Sequence, residues 1–506
     1  MKTQLIILCV CLLVGMSSCR KDKGDYTYQE INDMTISNIE GTYTALVGKR
    51  FKIEPVIALK NSSNQKEDDF TYEWTAADAT SISLPKKVLG NGRILDLDLA
   101  LLPSKYMVYF RVTEKSTNIY WQKQFELNVT SEIAGGWLVL NELNNEGRLD
   151  MLNFKLADNT FTYYRDILTI AGDLKIQGKP SFVFYTRNRD IFNNSVTDRV
   201  YIGTDTKTYS IDNQSYTWNK YRDFKLEVMR PTVEPYHAVK FRATGNIEQN
   251  YMLDSEGILS LENIVGNSLY GTTLNRLSTG ARIEISPIIA ENFGTGSPYL
   301  IMYDKGNRKF IVHTGSSSVA VVPRAATASP DFDPANMKKD LLFMDCVLTT
   351  QKQFYALLQD PASKELSLLR FTASGGVFTL LSYETIANEN GMDRANFYTV
   401  DPTYGYLVYA SGNKVYSYNP FNKEHKLLSD MGNRQISLVK YQRITRLKTD
   451  VRLKEYGTSL MICTYNPAAI ERSGKMEFFT MGLNNSLTPK QSYDGFDKIV
   501  DVTYRE

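Results

Sequence analysis

The strongest constraint on the fold is a unit of two short apolar runs joined by a tight polar turn, which recurs from residue 136 onward. The units begin about 50 residues apart after a wider first gap of about 62, at Gly136, Asp198, Gln249, Ser297, Lys352, Tyr404 and Thr458. One unit cannot bury its own apolar faces, whereas blades stacked around a ring bury them against each other. The repeat predicts a β-propeller over residues 132–506, with seven blades. A large sandwich or two smaller barrels is the alternative.

The final segment supports a closed ring. Residues 496–506 alternate apolar and polar side chains, as a half-buried strand does. We expect them to form a blade strand, and to be the strand that closes the ring. Closure would remove the exposed sheet edges that otherwise promote association.

A different pattern occupies residues 33–131. About seven short runs, each with apolar side chains at a period of two, lie between turn residues, which is typical of an immunoglobulin-like β-sandwich. We interpret Trp74 as packing in the core of this sandwich rather than as a ligand contact. With 32 Tyr and 23 Phe and few helical periods, the whole chain is predicted to be all-β.

The N-terminus predicts the location of the protein. Residues 5–14 form an apolar stretch that is too short to span a bilayer, and small residues follow it up to Cys19. This arrangement resembles the lipobox of bacterial lipoproteins, which implies a signal peptide at 1–18, lipidation of Cys19 and a polar tether at 19–32. Several acyl chains hold a protein stably on a membrane. The alternative is an ordinary signal peptide with a cysteine by chance.

Charge and cysteine content exclude several classes of protein. A net charge of +2 gives no reason to expect nucleic acid as a partner. Cys346 and Cys463 lie in strand-like apolar runs, and we interpret them as buried free thiols, with a single disulfide as the alternative. The Cys and His spacing gives no zinc motif, so no cofactor is predicted.

Several blocks of the sequence resemble the PKD-like lipoproteins of Bacteroidota. They include the segments at 21–26, 72–74 and 106–113 in the first region, and those at 136–140, 299–304, 331–334 and 501–504 in the second. The resemblance implies a lipid-anchored outer-membrane protein, facing the cell surface. It also implies partners: a TonB-dependent transporter and a SusD-like lipoprotein of a nutrient-uptake locus.

Catalytic motifs are absent from the sequence: it has no GxSxG, HExxH or P-loop pattern. The stretch 141–147 has some character of a calcium loop, but a hairpin turn explains it better. Asp331 and Asp333 could in principle bind a cation or do acid–base work, and a turn or helix cap is the preferred interpretation.

One aromatic segment departs from the repeat, between the second and third units. If it forms a loop over the ring, Tyr216, Trp218, Tyr221 and Tyr236 would stack on a sugar or grip a peptide. The alternative is an elaborated blade whose aromatic residues are core.

Three functional hypotheses follow. The first is a non-enzymatic surface lipoprotein that binds or helps to capture a nutrient, either a glycan or a peptide. The second is a structural or adhesive module that docks on another protein. The third is a hydrolase or lyase built on the propeller, because a fold by itself does not determine function.

Overall fold

The computed structural model describes residues 33–60, 66–79, 86–101, 104–130, 135–155, 160–170, 174–189, 196–212, 221–243, 250–263, 269–291, 298–315, 319–347, 352–442 and 455–505. Nearly all regular structure in these ranges is strand. The short helical pieces are one α-helical turn, Ile167–Ile170 (α1), and three 3₁₀ turns, Glu67–Asp69, Phe224–Glu227 and Met392–Arg394. In the described part of the chain, no helix has the length and apolarity to cross a membrane.

The chain divides into two compact units, Met1–Thr130 and Ser131–Glu506. The strands of the first unit are Met34–Ser37 (β1), Thr42–Leu46 (β2), Arg50–Ile53 (β3), Val56–Leu59 (β4), Phe70–Asp78 (β5), Lys87–Gly90 (β6), Leu95–Asp98 (β7), Ser104–Glu114 (β8) and Tyr120–Thr130 (β9). A five-stranded sheet has the order β2-β9-β8-β5-β6, with β2 parallel to β9. Two smaller sheets pair β1 with β4 and β3 with β7.

These sheets bury one common core, which confirms the predicted sandwich. Phe51 of β3 and Leu95 of β7 pack in the same cluster as Trp74 of β5 and Phe110 of β8. Trp74 is fully buried, stacks on Phe110 with 4.1 Å between ring centroids, and donates a hydrogen bond to the Gly92 carbonyl oxygen at 2.9 Å. Its predicted packing role is confirmed.

The second unit continues in strands to its end. The first group comprises Gly136–Leu143 (β10), Glu146–Lys155 (β11), Thr160–Tyr164 (β12), Pro180–Arg189 (β13), Val196–Thr204 (β14), Thr208–Asp212 (β15), Tyr221–Asp223 (β16), Ala238–Ala243 (β17), Asn250–Asp254 (β18), Leu259–Asn263 (β19) and Leu269–Thr273 (β20). The next comprises Ala290–Glu291 (β21), Leu300–Asp304 (β22), Lys309–His313 (β23), Arg324–Ala325 (β24), Asp340–Val347 (β25), Gln353–Gln359 (β26), Leu366–Ser374 (β27) and Val377–Ile386 (β28). The last comprises Phe397–Val400 (β29), Leu407–Ser411 (β30), Lys414–Asn419 (β31), Glu424–Asp430 (β32), Gln435–Tyr441 (β33), Ser459–Tyr465 (β34), Gly474–Met481 (β35), Leu487–Phe496 (β36) and Lys498–Arg505 (β37).

Consecutive strands form successive sheets, as expected of propeller blades. Four sheets are simple meanders, β13 to β16, β17 to β20, β29 to β32 and β33 to β36. The sheet of β21 to β23 has three strands, and that of β25 to β28 recruits the short β24 at its edge. Among the described residues the second unit thus has seven sheets. Because their strand numbers differ, the count of seven blades stays a prediction.

The final strand belongs to the first sheet. The sheet order is β12-β11-β10-β37, and Trp137 of β10 lies opposite Tyr504 of β37 in the antiparallel register. The prediction that the C-terminal segment closes the ring is confirmed. Sequence-distant strands therefore complete one sheet, as in a propeller whose ring is joined by its own chain end.

Apolar cores lie between successive sheets all the way around. Tyr201 of β14 packs with Met252 of β18, and Val408 of β30 packs with Ile462 of β34. The last interface joins the final sheet to the first, because Met461 of β34 shares a cluster with Val139 of β10. Each sheet thus buries both faces against its neighbours, and the second unit is a β-propeller.

Two cysteines lie within these cores. Cys346 of β25 and Cys463 of β34 are buried thiols outside any disulfide, as predicted. Burial raises the pKa of the Cys463 thiol well above its ordinary value.

Candidate functional site

The residues predicted to bind a ligand are described only in part. Cys19, Tyr216 and Trp218 lie outside the described residues. Tyr221 opens β16 and lies opposite Ile211 of β15 in the backbone register. For Tyr221 the structure describes the backbone alone.

Tyr236 lies in the core between two sheets. It is 2% exposed, and its ring stacks parallel to that of Phe224 with centroids 6.4 Å apart. The hydroxyl donates to Asp254 Oδ2 at 3.4 Å, and burial raises the pKa of Tyr236 to about 12. The Tyr236 ring therefore packs against other side chains of the protein. This agrees with the alternative interpretation of the segment, in which its aromatic residues belong to the core.

The two stretches with cation-binding character are turns. Asn144 and Asn145 both have a left-handed backbone and connect β10 to β11 as a tight hairpin, as preferred on sequence grounds. Asp333 Oδ1 accepts a hydrogen bond from the Ala335 backbone N–H at 2.9 Å, so it caps a turn. Across the described ranges, no group of three or more His, Cys, Asp or Glu side chains could hold a metal ion.

A polar cavity of about 680 Å³ lies where segments of two neighbouring sheets meet. We name it the His425 cavity, and its lining includes Glu389, Asn419, Glu424, His425, Asn484 and Asn485. Its volume falls in the range of small-molecule sites. Amide, carboxylate and imidazole groups dominate this lining.

Two turns build the cavity. The first connects β31 to β32: Asn419 Oδ1 accepts from the Phe421 backbone N–H at 2.9 Å, and Lys423 has a left-handed backbone. The second connects β35 to β36, where Asn485 is also left-handed. Lys426 of β32 donates to the Asn484 carbonyl oxygen at 3.0 Å, so the two turns are held together across the sheet boundary.

His425 is held in one orientation. Its Nδ1 lies 2.9 Å from the Tyr409 hydroxyl, and that hydroxyl donates to the Glu389 carbonyl oxygen at 3.3 Å. The Ala387 backbone also hydrogen-bonds to the imidazole, so the ring has contacts on more than one side. Burial lowers the pKa of His425 and favours the neutral form.

Not every polar atom of these residues faces the cavity. His425 Nε2 and Asn485 Oδ1 have no accessible surface, and Asn485 as a whole is 6% exposed. The polar groups that a ligand in the cavity can reach belong to the exposed lining residues Asn422, Lys423, Glu424 and Asn484.

An exposed aromatic ring stands beside the cavity. Phe421 is 65% exposed and lies in the same turn as Asn419 and Lys423. The Arg370 guanidinium lies 4.9 Å from the centroid of its ring and fixes one face. The ring adds an apolar surface next to the polar groups, which is the combination that sugar rings require.

Sequence reasoning missed this cavity. The available signal was a pair of asparagine-rich turns, at 419–424 and 482–486, each closing a hairpin of one repeat unit. Their proximity depends on the ring, which places consecutive sheets side by side. The repeat predicted that arrangement, but not which turns would meet.

Comparisons with known proteins assign a family match to the first part of the chain and find no curated relative. Residues 19–180 match the model of the PKD-like family, which confirms the PKD-like part of the resemblance for these residues. No curated protein matches the chain.

Solved structures are similar at low identity. A quinonprotein alcohol dehydrogenase-like protein from Bacteroides thetaiotaomicron is 10% identical, with 95% of this chain and 100% of that chain covered and a TM-score of 0.41. A periplasmic gluconolactonase from Pseudomonas aeruginosa is 10% identical, with 74% and 99% covered and a TM-score of 0.39. Apo AztD from Citrobacter koseri is 9% identical, with 86% and 98% covered and a TM-score of 0.36.

Proposed function

We propose that this protein binds a glycan in the His425 cavity and releases it unchanged. The observation that carries the proposal is the set of exposed amide and carboxylate groups on one cavity, from Asn422, Glu424 and Asn484. Sugar hydroxyls both donate and accept hydrogen bonds at close spacing, so one ligand can engage the amides and the carboxylate together. The exposed Phe421 ring supplies a surface for the apolar face of a sugar.

A peptide fits these groups less well. Its N–H donors are spaced along an extended backbone, and its side chains need apolar pockets for specificity. The lining of the His425 cavity is mainly polar, with Leu483 as its one aliphatic side chain. A peptide ligand is therefore the second choice for the same site.

Calorimetric titration tests the proposal. The protein is titrated with neutral oligosaccharides and with mixed peptide pools, and the Asn422→Ala and Asn484→Ala variants are titrated with whatever binds. We expect a neutral glycan to bind, and each variant to weaken its binding about tenfold, which corresponds to the loss of one hydrogen bond. Gln435→Ala, an exposed amide on β33, is the matched control. Tight peptide binding with no glycan binding would contradict the proposal.

We further propose that the protein is a lipoprotein of the outer membrane, anchored at Cys19 and facing the cell surface. The small residues before Cys19 and the polar tether after it support this anchor. Replacing Cys19 with Ala should move the protein from the membrane to the soluble fraction. Protease shaving of intact cells reports the orientation.

The proposed partners are a TonB-dependent transporter and a SusD-like lipoprotein. The PKD-like match of residues 19–180 supports a family association, and the partners themselves come from the resemblance. Gentle detergent extraction of tagged protein, followed by mass spectrometry, should recover both. Recovery of another envelope protein, without glycan binding, would favour the docking-module hypothesis instead.

One observation favours a second function. Glu389, Glu424 and His425 line the same cavity, and carboxylates beside a histidine are the groups of general acid–base catalysis. Incubation of the bound glycan with the protein, followed by analysis of its length, separates binding from hydrolysis. We expect no change in length.

A further inference from the structure

A cavity of about 520 Å³ lies on the first unit, beside the start of β5. It is lined by residues 70–73 of β5, by Asn91, which follows β6, and by Arg111 and Thr113 of β8. The proposed glycan site does not include this cavity, because the His425 cavity belongs to the second unit.

The part of β5 that lines this cavity has a neighbouring strand on one side only. β8 pairs with the whole of β5, from Phe70 to Asp78, whereas β6 pairs only with the stretch from Trp74 to Ala76. Over residues 70–73, the described part of the chain places no strand on the β6 side. We call these four residues the open edge of β5.

The backbone register shows which groups face the open edge. The Glu114 N–H of β8 donates to the Ile119 carbonyl oxygen at 2.9 Å, so Glu114 directs its backbone groups away from β5. Phe70 lies opposite Glu114, and the alternation of antiparallel pairs therefore directs the backbone groups of Phe70 and Tyr72 to the open side. The Phe70 N–H is used by the preceding 3₁₀ turn. Within the described ranges, the Phe70 C=O and the Tyr72 N–H and C=O have no hydrogen-bond partner.

The outer strands of the propeller differ from this edge. In β20, β28, β32 and β36 an extra residue interrupts the pairing with the preceding strand, at Gly271, Leu381, Leu428 and Gly495 respectively. A bulge of this kind twists an edge strand and hinders its pairing with another chain. Residues 70–73 pair with β8 in unbroken register and have no bulge. The open edge of β5 therefore keeps the regular spacing that an added strand requires.

Glu73 favours a positively charged side chain on an added strand. Its carboxylate has no ion-pair or hydrogen-bond partner within the described ranges. Arg111 lies opposite Glu73 in the register but interacts elsewhere. Its guanidinium carbon lies 4.4 Å from the centroid of the Tyr120 ring, and its Nη2 donates to Gln122 Oε1 at 3.2 Å. Opposite charges across neighbouring strands stabilise their pairing, so a lysine or arginine across from Glu73 would be favoured.

We propose that the open edge of β5 binds an extended segment of a partner protein by strand addition, with a lysine or arginine of that segment across from Glu73. The main-chain groups of Phe70 and Tyr72 supply the hydrogen bonds, and Glu73 supplies the preference for a basic side chain. Because the site lies on the first unit, this proposal does not depend on glycan binding in the second.

Calorimetric titration of the protein with three blocked peptides tests the proposal. The lysine probe is acetyl-Thr-Val-Lys-Val-Thr-amide, and the glutamate probe has Glu in place of its Lys. The methylated probe is the lysine peptide with both valine nitrogens methylated, which removes the N–H groups that would face Tyr72. We expect the lysine probe to bind about fivefold more tightly than the glutamate probe, as a cross-strand charge pair predicts. The methylated probe should not bind.

A charge reversal locates the binding at this edge. Glu73→Lys should reverse the preference, so that the glutamate probe binds more tightly than the lysine probe. Glu40→Lys, at an exposed glutamate between β1 and β2, is the matched control and should leave the preference unchanged.

Several outcomes would overturn the proposal. They are an unchanged preference in Glu73→Lys, equal binding of the methylated probe, and no binding of the lysine probe. A dimer in sedimentation that the lysine probe dissociates would also overturn it, because a second copy of the chain would then occupy the edge. The glycan titrations are separate, so these outcomes leave the proposed function unaffected.

Discussion

Trp74 is a large, fully buried residue in the core of the first unit. It is fully buried and stacked on Phe110, so Trp74→Ala leaves a large cavity as well as an unpaired Gly92 carbonyl. We expect a loss of about 3–5 kcal/mol in the free energy of unfolding of this unit. Urea denaturation followed by circular dichroism measures it. Trp121→Ala, at a partly exposed position, is the control and should lower the free energy of unfolding clearly less. Equal losses for the two variants would contradict the packing role of Trp74.

The two buried thiols offer a direct measure of core integrity. Cys346 is 1% exposed and Cys463 fully buried, and burial raises the pKa of the Cys463 thiol. Only the thiolate reacts with a disulfide reagent, so neither should react in the folded protein. With Ellman's reagent, protein lacking residues 1–19 should release no colour when native and two equivalents in guanidinium. Rapid reaction of one thiol in the native state would show an open blade interface.

His425 should make stability depend on pH. Burial lowers its pKa from the ordinary value of 6.5, so the folded state binds this proton less tightly than the unfolded state. The stabilisation is complete above the pKa that His425 has in the unfolded state. It is lost as the pH falls through the lower pKa of the folded state. In His425→Gln, the free energy of unfolding should therefore fall less than in the wild type between pH 7.5 and 5. If the free energy of unfolding of the two proteins fell in parallel with pH, His425 would not be the source of the pH dependence.

At the level of elements, β37 carries the closure of the ring. It pairs with β10 along its length and contributes Ile499, Val502 and Tyr504 to the core between the first and last sheets. Removal of residues 498–506 should abolish cooperative unfolding of the propeller. A synthetic peptide of these residues, added in trans, should restore it in part. Cooperative unfolding of the truncated chain would show that the ring does not need this strand.

For the whole molecule, two compact units predict two unfolding events. Each unit has its own core, and a unit with its own core can unfold independently. Calorimetry of the protein should show two transitions, and Trp74→Ala should lower the temperature of only one of them. A single transition that shifts as a whole would instead show that the units unfold together.

The parts of this fold that the sequence predicted are those encoded locally. Hairpins depend on alternation and on turn residues such as Asn144, so the repeat, the sandwich and the closing strand could all be read from the chain. The His425 cavity could not, because its two turns belong to different sheets and meet only through side-chain contacts such as that of Lys426. Tyr236 illustrates the same limit, since the alternation of polar and aromatic residues around it did not distinguish an exposed ring from a buried one.

The pairing of β10 with β37 also determines when this propeller can be finished. Gly136 lies opposite Arg505 in the register, so this pairing forms only after residues 498–505 have been synthesised. Until then the edge of β10 is an unpaired strand and a template for wrong pairing. Ring closure therefore follows the synthesis of the other described strands of the propeller, and a molecule that lacks residues 498–505 would be left with the edge of β10 unpaired.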